Sequence, residues 1–123
     1  MKSRGFEELR VYGLAEKLAD EVWNMVQKWN PFARSTVGGQ LIRAVDSVGA
    51  NIAEGSGRGS YQDNRRFVRL ARGSLCEARH WLRRAYRRQL VTTAQVASLK
   101  TLIEELSPKL NAYLKSIGPT NDQ

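Results

Sequence analysis

Residues 60–89 read SYQDNRRFVRLARGSLCEARHWLRRAYRRQ, and the spacing of apolar and basic side chains in this stretch decides the fold. On a helical wheel, at about 100° per residue, the apolar side chains gather on one side: Phe67, Leu70, Ala71, Leu75, Ala78, Trp81, Leu82 and Ala85. Six arginines fall within an arc of roughly 80° on the other side: Arg65, Arg69, Arg72, Arg79, Arg83 and Arg87. This period predicts one long amphipathic helix that buries its apolar side against other elements.

The same helical period recurs on both sides of this stretch. It predicts three more helices, which cover residues 8–30, 36–54 and 93–117. Pro31 is expected to end the first of them, because the residue before a proline is pushed out of the α conformation. The run Gly55–Ser56–Gly57 is expected to end the second helix through a left-handed residue.

Polar residues mark the starts of the third and fourth helices. Ser60 with Asp63, and Thr92 with Gln95, have the spacing of a capping box, in which each side chain binds the other residue's backbone N–H. The apolar period of the fourth helix stays in phase through Pro108. One kinked helix is therefore predicted there, and not two.

Length and composition indicate one folded domain. Four helices with short connections predict an all-α fold, an antiparallel up-and-down four-helix bundle formed by residues 1–123. No run approaches the ~18 apolar residues that a membrane span needs, and the N-terminal residues lack the apolar core of a signal peptide. A single cysteine, Cys76, excludes an internal disulfide. We therefore expect a cytoplasmic protein with no membrane partner.

The basic charge of the chain is concentrated between Arg58 and Arg88. This segment holds ten Arg, no Lys, one Asp and one Glu, so its charge is 10 − 2 = +8, equal to the formal net charge of the whole chain. Like charges at i,i+4 spacing cost a few tenths of a kcal/mol per pair, which favours a compensating polyanionic partner, and nucleic acid is the first class. The candidate nucleic-acid-binding residues are Arg58, Arg65, Arg66, Arg69, Arg72, Arg79, Arg83, Arg84, Arg87 and Arg88.

The target class follows from what guanidinium groups recognise. They fork onto phosphate oxygens, and phosphate contacts position a protein without reading bases. Low sequence specificity is therefore expected, with structured RNA or an RNA–DNA hybrid as the target. Two other interpretations stay open: the arginines bind an acidic protein surface, or they form a solvated helix face, as most charged faces do.

Residues for catalysis or for cofactor binding are missing from the sequence. His80 is the only histidine, and no spacing of Cys, His and carboxylates suggests a metal site. The glycine-rich turn Gly55–Gly59 follows a predicted helix, whereas a phosphate-binding loop follows a strand. We predict that the protein is not an enzyme and that it has no cofactor and no metal.

Several motifs resemble the four-helix bundle family encoded by intervening sequences in bacterial 23S rRNA genes. The matching blocks are Gln40-Leu-Ile-Arg-Ala44, Asn51-Ile-Ala-Glu-Gly-Ser-Gly-Arg58, Ala71-Arg-Gly-Ser-Leu-x-Glu77 and the opening Phe6-Glu-Glu-Leu-Arg-Val-Tyr12. The resemblance implies a small bacterial, cytoplasmic, all-helical protein that forms a homo-oligomer. Related bundles include the accessory variability determinant of diversity-generating retroelements, a basic pentameric barrel that partners a reverse transcriptase and binds nucleic acid.

The motif residues are interpreted as mainly structural, with a ligand site as the alternative. The set is Arg43, Ser47, Asn51, Glu54, Gly55, Gly57, Gly73, Ser74 and Glu77. Its four polar residues on the second helix follow at steps of three and four and therefore share one side. Asn51 and Glu54 are expected to hydrogen-bond to Ser74 or to pair with Arg58 or Arg66. The glycines suit a tight turn and a close approach of helices.

The first helix is apolar over about half of its circumference, wider than the ~100° stripe that one buried face requires. Tyr12 and Trp23 lie on the excess edge, and Trp29 and Phe32 follow near the end of the bundle. Either these aromatics pack under neighbouring loops or they form an interface between copies. The resemblance favours a ring-like homo-oligomer such as a pentamer.

Two functions are therefore predicted. The first is a non-catalytic, homo-oligomeric nucleic-acid-binding protein, with RNA held through its backbone by the arginine-rich third helix. The alternative is an accessory or adaptor protein, whose basic face binds an acidic protein partner such as a reverse transcriptase.

Overall fold

The computed structural model describes residues 5–119, which form four helices joined by short connections. We name the helices α1 (Arg10–Val26), α2 (Gly39–Ser56), α3 (Tyr61–Arg87) and α4 (Thr93–Ser116). Each helix packs against its neighbours in chain order, and α4 packs back against α1. The described residues contain no strand, and the prediction of an all-α four-helix bundle is confirmed.

The chain enters its second helical segment five residues earlier than predicted. α1 ends at Val26, and the Asn30 side chain accepts a hydrogen bond of 2.9 Å from the Ala33 backbone N–H. This contact caps a helical turn, Pro31–Ala33, which a π-helical segment, Arg34–Gly38, joins to α2. Pro31 therefore starts the second segment and does not stop the first, because a missing N–H is tolerated at the first position of a helix.

The end of α2 also differs from the prediction. The helix extends to Ser56, and its C-cap Gly57 has φ −92°, outside the left-handed region. The left-handed residue is Gly59, at φ +86°. The reversal of the chain between α2 and α3 therefore depends on Gly59, a residue that the sequence pattern did not single out.

The caps predicted for α3 and α4 differ in completeness. Thr92 and Gln95 form a full capping box, with N–H to side-chain distances of 2.9 and 3.1 Å. At α3, the Ser60 hydroxyl accepts from the Asp63 N–H at 3.1 Å, but the Asp63 carboxylate lies beside arginines instead of reaching back. α4 continues through Pro108 as one helix, as predicted.

The core is apolar throughout the described part of the chain. No polar or charged residue between 5 and 119 is fully buried. The largest enclosed side chains come from all four helices: Leu18, Leu41, Ile52, Leu75, Leu106 and Leu110. Of the aromatics in and after α1, Trp29 is buried and Tyr12 is half-buried against Phe6, whereas Trp23 and Phe32 are 52% and 78% exposed. The burial of Trp29 agrees with packing within the bundle, and an interface between copies stays a prediction for Trp23 and Phe32.

Candidate nucleic-acid interface

The arginines of α3 face outward because the other side of the helix lies in the core. Its fully buried residues follow at steps of three and four: Val68, Ala71, Leu75, Ala78, Leu82 and Ala85. The helical wheel placed Leu70 on the buried side, but this residue is 47% exposed. The wheel also left Val68 out of the apolar set, although Val68 is 0% exposed. α3 packs against both α2 and α4, which centres its buried side on Val68 and the residues seven and fourteen positions later.

Arginines near the start of α3 are occupied by contacts within the chain. Arg58 and Arg66 bracket the Phe67 ring, with guanidinium carbons 5.2 and 4.6 Å from its centroid. The Asp63 carboxylate lies 3.8 Å from the Nε atoms of both arginines, and Arg58 also donates to Glu54 at 3.2 Å. Two carboxylates therefore offset the charge of Arg58, in the α2–α3 turn, and of Arg66, near the start of α3.

Two further arginines connect α3 to α4. Arg65 donates to the backbone carbonyl of Ile117 at 2.7 Å, and Arg72 donates to the Asn111 side chain at 3.2 Å. The first contact places a cation at the C-terminal end of α4, where the helix dipole favours positive charge. Arg65 and Arg72 therefore hold the bundle together at this end, although their own charges remain available to a ligand.

The remaining six arginines form no ion pair among residues 5–119. We call them the free arginine row: Arg69, Arg79, Arg83, Arg84, Arg87 and Arg88. Glu77, the only carboxylate of α3 in this region, accepts a hydrogen bond from Trp81 Nε1 at 3.2 Å. The His80 ring meets Trp81 edge to face at 4.8 Å. The arginines in the distal half of α3 therefore present positive charge that no ion pair among residues 5–119 neutralises.

The opposite side of the bundle, between α1 and α2, carries negative charge. Glu16, Asp20 and Asp46 line a shallow groove there. Burial, and then the neighbouring Asp20, raise the pKa of the Asp46 carboxyl. Burial, and then Glu16, raise the pKa of the Tyr12 hydroxyl. The chain therefore separates its charges across the bundle, with acid on α1–α2 and base on α3.

The polar motif residues of α2 bind locally. The Asn51 side chain donates to the Ser47 carbonyl, one turn earlier, at 2.8 Å, and Glu54 pairs with Arg58 at 3.2 Å. The expected contacts of Asn51 and Glu54 with Ser74 are not formed. Arg43 is exposed. These contacts stay within α2 and its following turn, because the polar side of the helix lies at the edge of the bundle and not under α3.

The three motif glycines have different surroundings. A Cβ atom at Gly55 would lie 2.7 Å from Asn64 Oδ1 and 2.9 Å from Phe67 Cβ, so glycine permits the close approach of α2 and α3. Gly57 is the C-cap of α2. A Cβ at Gly73 would meet nothing within 4 Å, and no neighbour among residues 5–119 requires glycine there. The close approach predicted at Gly73 is absent from the bundle.

Asn64 is a polar residue of this region that the sequence reasoning missed. Its Oδ1 atom is buried and accepts no hydrogen bond among the described residues. It lies under Gly55 at the α2–α3 contact. The sequence did contain a signal for this residue. Asn64 is the fourth residue of α3 and lies on the side of the helix that is otherwise apolar, where an asparagine is unusual.

Residues 5–119 contain no group of three or more His, Cys, Asp or Glu side chains arranged to hold a metal ion. Within the same range, every helix is too short or too polar to cross a bilayer.

Comparison with known proteins agrees with the sequence motifs. A crystal structure from Bacteroides thetaiotaomicron, of a protein with unknown function from the S23 ribosomal protein family, superimposes with a TM-score of 0.76 at 22% identity. The match covers 86% of this chain and 99% of that chain, and it shows a shared fold. No curated protein matches the sequence. The family model for the 23S rRNA-intervening sequence protein matches residues 7–112, so the chain belongs to that family.

Proposed function

We propose that this protein is a non-catalytic nucleic-acid-binding protein that holds phosphate groups along α3, with low sequence specificity. The observation that supports the proposal is the free arginine row, six guanidinium groups that form no ion pair among residues 5–119. Each of these side chains can fork onto two phosphate oxygens. A binding partner with evenly spaced negative charge would relieve their mutual repulsion.

The length of the row matches a stretch of nucleic-acid backbone. From Arg69 to Arg88 there are 19 residue steps, which span about 28 Å at 1.5 Å per residue. A duplex strand carries one phosphate per ~3.4 Å of helix axis, so this length faces about eight phosphates. Six arginines over about eight phosphates support a backbone-directed contact. Because phosphate contacts do not read bases, the test compares backbones, with structured RNA as the first nucleic acid and an RNA–DNA hybrid as the second.

We also propose that the protein works as a homo-oligomer, a ring such as a pentamer. Trp23 and Phe32 flank the connection from α1 into the second helical segment, and they are 52% and 78% exposed. Large exposed aromatics close in the chain support an interface between copies. A ring would join several arginine rows into one basic surface and would raise the avidity for a long polyanion.

Salt titration of binding tests the phosphate contacts. With six contacts, the affinity for a labelled structured RNA should fall about 10³-fold between 50 and 200 mM salt. The variant Arg79→Ala/Arg83→Ala/Arg87→Ala should bind more weakly and lose only about 40-fold over the same range, because half of the contacts are gone. A matched control removes three exposed lysines elsewhere, Lys17, Lys28 and Lys115, and changes the net charge equally.

The control distinguishes a specific surface from overall charge. Equal losses in the two triple variants would show that net charge, and not the row, governs binding. No binding at low salt would refute the proposal and would direct attention to an acidic protein partner, such as a reverse transcriptase, which the same guanidinium groups would suit. Light scattering at micromolar concentration tests the oligomer, and the variant Trp23→Ser/Phe32→Ser should shift the mass towards the monomer.

A further inference from the structure

A cavity of about 550 Å³ opens between α3 and α4, beside the distal half of the free arginine row. Arg79 and Arg83 line it from α3, and Lys100 lines it from α4. Leu82 and Ile103, which are 7% and 6% exposed, give it an apolar floor. A cavity with cations at its rim and an apolar floor suits a ligand that combines a negative charge with a flat apolar part.

We infer that this cavity takes one unpaired nucleotide of the bound nucleic acid, with its base inside and its phosphate at the rim. The inference rests on the proposed function and deepens it, because it names the kind of strand that the arginine row selects. A nucleotide is the unit of a polyanion that has both required parts. A base within a duplex is stacked and paired, so only an unpaired or extruded base can enter.

The ring for stacking is provided by Tyr86. This side chain lines the cavity, is 48% exposed, and makes no ring contact or hydrogen bond with residues 5–119. Aromatic side chains near a basic groove bind single strands because every base has a π face. Leu82 lies one turn before Tyr86 on the same side of α3, so the ring and the floor together form an apolar surface for a base.

Charge at the rim favours the phosphate. Three cations, Arg79, Arg83 and Lys100, line the cavity against one carboxylate, Glu104, and none of the four forms an ion pair among the described residues. The surplus of two positive charges suits a phosphodiester and its neighbours along the strand.

Acceptors beside the cavity suit the polar edge of a base. The Glu104 carboxylate can accept from an exocyclic amino group, as carboxylates do from cytosine N4. Pro108 also lines the cavity and cannot donate to the carbonyl one turn earlier, which is that of Glu104. The Glu104 carbonyl therefore lacks its usual N–H partner in the helix, and Glu104 is itself a lining residue. A base that carries an amino group should bind better than uracil.

Anisotropy titrations with two RNA probes test the inference. One is an unstructured, labelled RNA of about 12 nucleotides, a length within the range of single-strand binding sites, and the other is the same RNA annealed to its complement. Tyr86→Leu should weaken binding of the single strand by about five- to 150-fold, the range that stacking of one base on an aromatic ring accounts for. Binding of the duplex should be unchanged.

Tyr61→Leu is the matched control. Tyr61 is also an exposed tyrosine of α3, at 53%, but it lies at the start of the helix and outside the cavity. It should leave the affinity of both probes unchanged. Lys100→Ala, at an exposed position, should weaken the single strand more than the duplex and gives a second variant of the cavity.

The outcomes separate the inference from the function on which it rests. If Tyr86→Leu and Lys100→Ala bind both probes as the parent does, the inference is wrong and the proposed function stands. If neither probe binds the parent protein at low salt, both are wrong. A third arm uses free AMP: if AMP binds as tightly as the single strand, the cavity is a site for a free nucleotide, and its assignment to a strand is overturned.

Discussion

Replacing Gly55 with alanine tests the close contact between α2 and α3. The added methyl group would lie 2.7 Å from Asn64 Oδ1, 2.9 Å from Phe67 Cβ and 3.1 Å from the Asn64 carbonyl oxygen. The amide oxygen sits on a side chain that can turn away. The other two atoms belong to the backbone or are attached to it directly, so α3 itself must move to make room.

The change in the free energy of unfolding is the cost of the steric contact minus the gain in helix propensity. Extra volume in a well-packed contact costs about 1–3 kcal/mol. Alanine improves on glycine by up to about 1 kcal/mol in a helix interior, and by less at Gly55, which is one residue from the end of α2. We therefore expect Gly55→Ala to lower the free energy of unfolding by about 1–2 kcal/mol.

Gly73→Ala is the internal control, because the same substitution at this position should raise the free energy of unfolding instead of lowering it. Its added methyl group meets nothing within 4 Å, and only the helix term remains, a gain of about 1 kcal/mol. At roughly 4 °C per kcal/mol for a chain of this size, the melting temperatures of the two variants should differ by about 10 °C.

Urea unfolding followed by circular dichroism measures both variants, at several protein concentrations. A Gly55→Ala protein as stable as the parent would refute the close contact of α2 with α3. A Gly73→Ala protein that is less stable than the parent at high protein concentration, but not when both are dilute, would show that this face of α3 packs against another copy, since association adds to apparent stability.

Three further substitutions have expected outcomes. Ser60→Ala should lower the free energy of unfolding by about 1 kcal/mol in urea titration, since it removes the α3 N-cap. Arg65→Ala should lower the melting temperature more than Arg69→Ala, because only Arg65 bonds to the end of α4; equal shifts would contradict this contact. Asp46→Asn should stabilise the protein at neutral pH, since burial and Asp20 raise the pKa of Asp46 in the folded state. The carboxylate then destabilises the fold above that pKa, and unfolding measured from pH 7 downwards should show the advantage disappear as the carboxyl protonates.

The helices of the bundle could be predicted from sequence because their signals are local. Apolar residues at steps of three and four and the Thr92 capping box predicted α4 to within one residue. The start of the second helical segment was missed although its signal was present. Proline disfavours helical backbone at the residue before it, and it is also well suited to the first position of a new helix. Pro31 could therefore end α1 or begin the next helical segment, and the Asn30 cap makes it the beginning.

The composition of the site was predicted in outline and not in detail. The wheel placed six of the eight arginines of α3 on the outward side and left out Arg66 and Arg84, because helical spacing alone determines which residues share a face. It could not separate Arg65 and Arg72 from the free arginine row, since their partners lie 52 and 39 residues away in the chain. The cavity at Tyr86 likewise depends on how α4 lies against α3, which no local pattern encodes.

The separation of charge across the bundle affects how the molecule approaches a partner. Carboxylates on the α1–α2 groove and unpaired guanidinium groups on α3 make the protein an electric dipole as well as a cation. Near a polyanion, this dipole experiences a torque that rotates α3 towards the ligand before any atoms touch. Fewer collisions then arrive in the wrong orientation, so the association rate should exceed that of a protein with the same net charge spread evenly over its surface.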